Sequence, residues 1–205
     1  MDDVTRIYFE QGVTSVFAIA LDWPGWCRRA RSTDAALDAL VAYRERYGRL
    51  VGVDLGPEAF DVLGVVPGST TTDFGAPGAV WSDDEAGLDE ATLARHLAVL
   101  ERHWAFFDSL IASAPAILRK GPRGGGRDRD ALREHVREAE RHYAPKVGVR
   151  VAPRTPWEDQ RAALLAAFTQ GTRGGWPVPY AIRRIAWHVA DHAWEIEDRA
   201  APRDA

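Results

Sequence analysis

The sequence predicts a two-part α+β chain, with a small β-β-β-α unit over residues 1–80 and a four-helix bundle over residues 81–205. Two textures predict it. Up to about residue 80 the chain is rich in β-branched residues, Gly and Pro; from about Leu88 the apolar residues recur at steps of three and four. Val4-Thr-Arg-Ile-Tyr-Phe9 and Ser15-Val-Phe-Ala-Ile-Ala-Leu21 read as strands. Trp23-Pro-Gly-Trp26 reads as a tight turn and Cys27-Arg-Arg-Ala-Arg31 as a short returning strand. Ser32 or Thr33 suits the cap of a helix running to about Tyr47, with Gly48 as its stop. Phe60–Val66 reads as a further strand, and Gly68–Gly78 as turn and loop.

In the second part, Leu93, Leu97, Leu100, Trp104, Phe107 and Ile111 form one long stripe that ends near Pro115. After the Gly121–Arg127 loop, Leu132, Val136, Ala139, Tyr143 and Lys146 form a shorter one, which Pro145 should end or kink. Thr155-Pro-Trp-Glu158 carries the signs of a helix start with a capping box, leading to Leu164, Leu165 and Phe168. Pro179 or Tyr180 opens the last helix, striped by Ile182, Ile185, Val189 and Ile196.

Composition narrows the function classes. The formal charge of −4 disfavours nucleic acid or an anionic membrane as partner. No apolar run approaches the roughly 20 residues that span a bilayer. Met1-Asp-Asp-Val lacks the basic start and apolar run of a signal peptide, and a single cysteine, Cys27, allows no intrachain disulfide; both point to a cytoplasmic setting. Any metal must therefore be held by nitrogen and oxygen, not by a thiolate cluster. Cys27 itself reads as a small buried residue.

The most informative motif is His188 and His192 in Ala186-Trp-His-Val-Ala-Asp-His-Ala-Trp-Glu195. Residues four apart share a helix face, so one rigid helix fixes two ligand directions at once. Such a pair also occurs as ordinary polar surface, and a third ligand on another helix decides between the readings. His135, one residue before Val136, lies on the second stripe, and His142 lies two turns further along that face. Glu138, Asp191 and Glu195 are candidates to orient a ligand or move a proton, though each also reads as a solvated helix residue. Trp187 and Trp194 bracket the pair and read as core or interface packing. Lys120-Gly-Pro-Arg-Gly-Gly-Gly-Arg127 matches no nucleotide fingerprint and reads first as a flexible connection. It also offers Arg123 and Arg127 to an anionic substrate if it closes over the site.

Residues 88–200 resemble the DinB/YfiT-like four-helix bundles, on Arg184-Ile-Ala-Trp-His-Val-Ala-Asp-His-Ala-Trp-Glu195 and Leu132-Arg-Glu-His-Val-Arg-Glu-Ala-Glu-Arg-His-Tyr143. The resemblance implies a divalent ion, zinc or nickel, bound by one histidine of the second helix and two of the fourth. Carried over position by position, the ligands are His135, His188 and His192, with His142 the rival of His135. Pro145 places the helix end near His142 and favours His135. The resemblance further implies thiol-dependent transfer, isomerisation or related chemistry on a small molecule, with a low-molecular-weight thiol such as mycothiol or bacillithiol as cosubstrate. The enzyme would then be a metal-dependent transferase or hydrolase. Residues 16–47 resemble the HicB-like fold of certain antitoxins, on Phe17-Ala-Ile-Ala-Leu-Asp-Trp-Pro-Gly-Trp-Cys27 and the capped helix behind it. That likeness keeps open a second reading, a non-catalytic binding or stress-response module. Both resembled folds often dimerise, which brings a homodimer into view.

Overall fold

The computed structural model describes residues 4–55, 59–121 and 125–200. Strands β1 (Val4–Gln11), β2 (Val16–Ala20), β3 (Cys27–Ala30) and β4 (Ala59–Pro67) form one sheet in the order β3-β2-β1-β4. The first three strands are antiparallel neighbours, joined by short turns. β4 returns parallel to β1 after a helical crossover, as a parallel pair requires. The helices are α1 (Thr33–Ala42), α2 (Arg44–Val51), α3 (Thr70–Phe74), α4 (Glu90–Ser113), α5 (Arg129–Tyr143), α6 (Trp157–Gln170) and α7 (Val178–Ala200). The molecule is thus mixed α+β. No helix is long and apolar enough to cross a membrane among the described residues.

The expected helix from residue 33 to 47 is two helices. Ser32 caps α1 as expected, accepting from the Ala35 N–H. The backbone leaves the helical region at Tyr43 (φ −93°, ψ 2°), and α2 begins at Arg44. That break lets Tyr47 stack on Trp26 at 5.4 Å and donate its hydroxyl to the Pro24 carbonyl. Gly48 does not stop the helix. It lies within α2, where the returning chain passes so close that a Cβ would lie 2.7 Å from the Val53 carbonyl, and Gly52, at φ 67°, is the stop. The expected loop 68–78 contains α3, whose Thr72, together with the Gly78 and Ala79 N–H groups, donates to the fully buried Glu10 carboxylate.

The expected capping box before α6 does not form. Pro156 sits outside the helix with extended ψ, and the helix begins at Trp157 without a side-chain cap. Trp157 is drawn inward instead. Its indole and that of Trp104 donate to Glu140 at 2.6 and 2.8 Å, and the Arg161 guanidinium lies over the Trp157 ring at 4.0 Å. Pro145 acts as expected: α5 ends at Tyr143 and passes into a 3₁₀ turn, Ala144–Val147.

Leu100, Trp104, Phe107, Leu132, Val136, Leu164, Phe168, Ile182, Ile185 and Val189 place α4, α5, α6 and α7 around one core. A second core joins the sheet, α1 and α2 to Val99 of α4 and to Ala190 and Trp194 of α7. Helix α4 therefore buries two faces, and the expected single stripe missed the one carrying His96, Val99 and His103. In that seam Asp84 and Arg183, 99 residues apart, form a buried pair with Nη1–Oδ1 at 2.9 Å. Trp187 packs edge-on against Phe17 of β2 at 6.0 Å, the interface packing expected of it. Burial also pushes the Cys27 thiol up, in keeping with its reading as a small core residue.

Two outcomes follow. Glu140→Ala strands two indole N–H groups and takes from Arg161 one of its two carboxylates, and should cost about 3–5 kcal/mol in urea unfolding, with Glu140→Gln costing less. His96 and His103 are both pushed down to about 4 by burial, whereas an unfolded histidine protonates near 6.5. The unfolded chain therefore binds more protons between those values, and stability should fall as pH drops from about 6.5 to about 4. The loss is on the order of 3 kcal/mol per buried histidine, read from urea curves at pH 7.5, 5.5 and 4.5 with a chelator present.

Candidate metal centre

The i, i+4 spacing on α7 does what the helix geometry dictates: the rings of His188 and His192 stand 4.6 Å apart, centroid to centroid. Helix α5 packs against α7 through Leu132 and Val136, which carries the adjacent His135 to the same place. Its ring lies 5.1 Å from that of His188 and 4.7 Å from that of His192. One ligand atom from each of the three lies within 4.8 Å of the others, close enough to hold a single metal ion. His142, the rival for the first ligand, takes no part. It is exposed, and its Nδ1 donates to the Glu138 carbonyl one turn back on α5.

The surroundings favour neutral, correctly turned imidazoles. His188 is buried, beside Tyr143 and Trp187 with centroids at 6.0 and 6.1 Å, and its Nδ1 finds no hydrogen-bond partner. Burial, and then the neighbouring His192, hold His188 well below the usual histidine range, and the same causes bring His135 down to about 4. Both therefore present lone pairs at neutral pH. His192 donates Nδ1–H to Glu195 at 2.9 Å, which fixes its tautomer and leaves Nε2 as the ligand atom. Glu195 is fixed in turn by Arg199 Nη1 at 2.6 Å, and the hydrogen bond from His192 first, then the one from Arg199, hold its carboxyl below the usual range.

Of the other candidates, Glu195 alone bonds a site histidine. Glu138 pairs with Arg141 on the open side of α5, and Asp191 lies 3.4 Å from Arg28 and is half exposed. Arg127 is exposed, yet near enough to help depress both His135 and His188. Arg123 lies outside the described residues. Arg199 was not anticipated, although its position four residues after Glu195 on one helix was a readable signal.

The donor set fits a divalent ion: three imidazoles, one anchored by a carboxylate, one with a buried and unpartnered nitrogen. Three protein donors also leave coordination positions open, the pattern of reactive rather than purely structural centres. Comparison with protein-family models, curated proteins and solved structures finds no match to this chain. The site is accordingly read from its own geometry.

Glu195→Gln should weaken zinc binding about 10- to 100-fold, while His142→Ala leaves it unchanged, both by competition against a chromophoric chelator at pH 7.5. The lowered His135 and His188 predict little proton competition at those two ligands at pH 6.5, checked by repeating the competition there.

Proposed function

We propose that this chain is a divalent-metal protein of the DinB/YfiT-like kind, carrying out thiol-dependent transfer or a related reaction on a small molecule. The observation that carries the reading is the convergence of His135, His188 and His192 from two helices onto one point. The order of three antiparallel strands followed by a capped helix is what a HicB-like unit ahead of the helices calls for. Zinc or nickel suits three nitrogen donors without thiolate. When bound, such an ion supplies Lewis acidity and brings the pKa of a ligating water or thiol toward neutrality.

The chain's own residues have separate tasks in this scheme. His135, His188 and His192 hold the ion. Glu195 keeps the His192 tautomer and ring direction, and Arg199 keeps Glu195 from turning away. Tyr143 and Trp187 wall the inner side of His188 against water. Arg127 offers positive charge at the outer side, where an anionic substrate or a thiolate arrives.

The test begins with elemental analysis of protein purified without a histidine tag. One equivalent of zinc or nickel, lost in His192→Ala, is expected. Glutathione and 1-chloro-2,4-dinitrobenzene then serve as probe substrates, with thioether formation followed by absorbance. Turnover that EDTA and His192→Ala both abolish supports the transferase. A chain that takes up no divalent ion under any loading condition overturns it in favour of a non-catalytic binding module.

A further inference from the structure

A cavity of about 670 Å³ opens beside the histidines, at the seam between the sheet unit and α7. It is shared with the metal centre through Glu195, whose carboxylate bonds His192 and whose side chain lines the cavity wall. Its volume falls within the range of small-molecule sites.

The hydrogen-bonding inventory of its walls is lopsided. Arg28 from β3, Arg119 and Lys120 from the segment after α4, and Arg199 from α7 bring four cationic side chains to it. Asp191, Glu195 and Asp198 bring three carboxylates, and each is already engaged. Asp191 faces Arg28, Glu195 serves His192 and Arg199, and Asp198 pairs with Arg46 at 2.7 Å. The donors are not used up. Arg28 Nε, Arg119 Nε, Arg199 Nη2 and Trp194 Nε1 have no hydrogen-bond partner; all four residues line this one cavity, with these nitrogens buried beneath its wall. Trp194 and Arg199 are 2% and 7% exposed, so water reaches them poorly. Four cationic side chains against three carboxylates that are already paired leave the wall with an excess of positive charge, which suits a guest that brings oxygen acceptors and negative charge.

We propose that this cavity binds the oxyanion group, carboxylate or phosphate, of a small-molecule substrate and presents the rest of it to the histidines. Arg28 and Arg199 are the anchoring cations. The link to chemistry rests on the metal-centre reading, whereas anion binding itself does not.

Calorimetric titration of the full-length protein with phenylphosphate, with benzoate and with neutral benzamide tests it, each with and without one equivalent of zinc. One of the two anions should bind saturably while benzamide does not, and which one binds separates a phosphoryl from a carboxylate substrate. Arg28→Gln should weaken that anion at least tenfold and leave zinc affinity unchanged, because Arg28 touches none of the histidines. Arg119→Gln, on a different segment, is the second variant should Arg28→Gln fold poorly. His192→Ala should lose zinc yet keep anion binding, which distinguishes failure of the metal reading from failure of this one. Absence of saturable binding by either anion, or anion binding untouched by both arginine variants, overturns the proposal.

Discussion

Everything in this fold depends on α7 being buried along most of its length. A helix that is apolar on one face alone can lie on a surface, but α7 turns Ile182, Ile185 and Val189 to the other long helices and Ala190 and Trp194 to the sheet unit. It is the shared wall of both cores. The polar groups it carries are consequently held where water is scarce, and each must find a partner inside the protein. Arg183 finds Asp84, and His192 finds Glu195. His188 keeps a ring nitrogen without one.

That unpartnered imidazole gives the site its character. Burial of an imidazole normally costs stability and is tolerated when something repays it. Here the rings of His135 and His192 stand beside it, all three within reach of one ion, so the unpaired nitrogen belongs to a constellation and not to a packing fault. His96 and His103 illustrate the contrast. Both are equally buried in the seam, but among the described residues neither belongs to a group of ligands that could hold an ion, and they read as core residues kept neutral by their surroundings.

Much of this was legible in the sequence, for a physical reason. The i, i+4 pair on α7 is a local signal, fixed by helix geometry alone, and the position of His135 next to Val136 follows from the same periodicity. The choice of His135 over His142 agrees with the geometry because the helix end at Pro145 leaves His142 on the open side. What could not be read were the long-range polar pairings. Nothing in periodicity links Asp84 to Arg183, or gathers Trp104, Glu140, Trp157 and Arg161 from three helices. The break at Tyr43 was equally hidden: the local pattern supports one helix through residue 47, and tertiary packing of Tyr47 on Trp26 overrides it. The second buried face of α4 was hidden because it carries His96, Val99 and His103, two polar residues in three, which hydrophobic periodicity does not mark.

The continuity of α7 also constrains how the gene can change. His188, His192, Trp194, Glu195 and Arg199 sit on a single uninterrupted rod of 23 residues, so their relative bearings are set by residue count. Insertion or deletion of one codon between them rotates everything downstream by roughly 100° about the helix axis, swinging the imidazoles and the cavity wall out of register together. The connection between α4 and α5 carries no such phase relation. Length variation across descendants of this chain is therefore expected to accumulate in that connection and to be purged from its final helix.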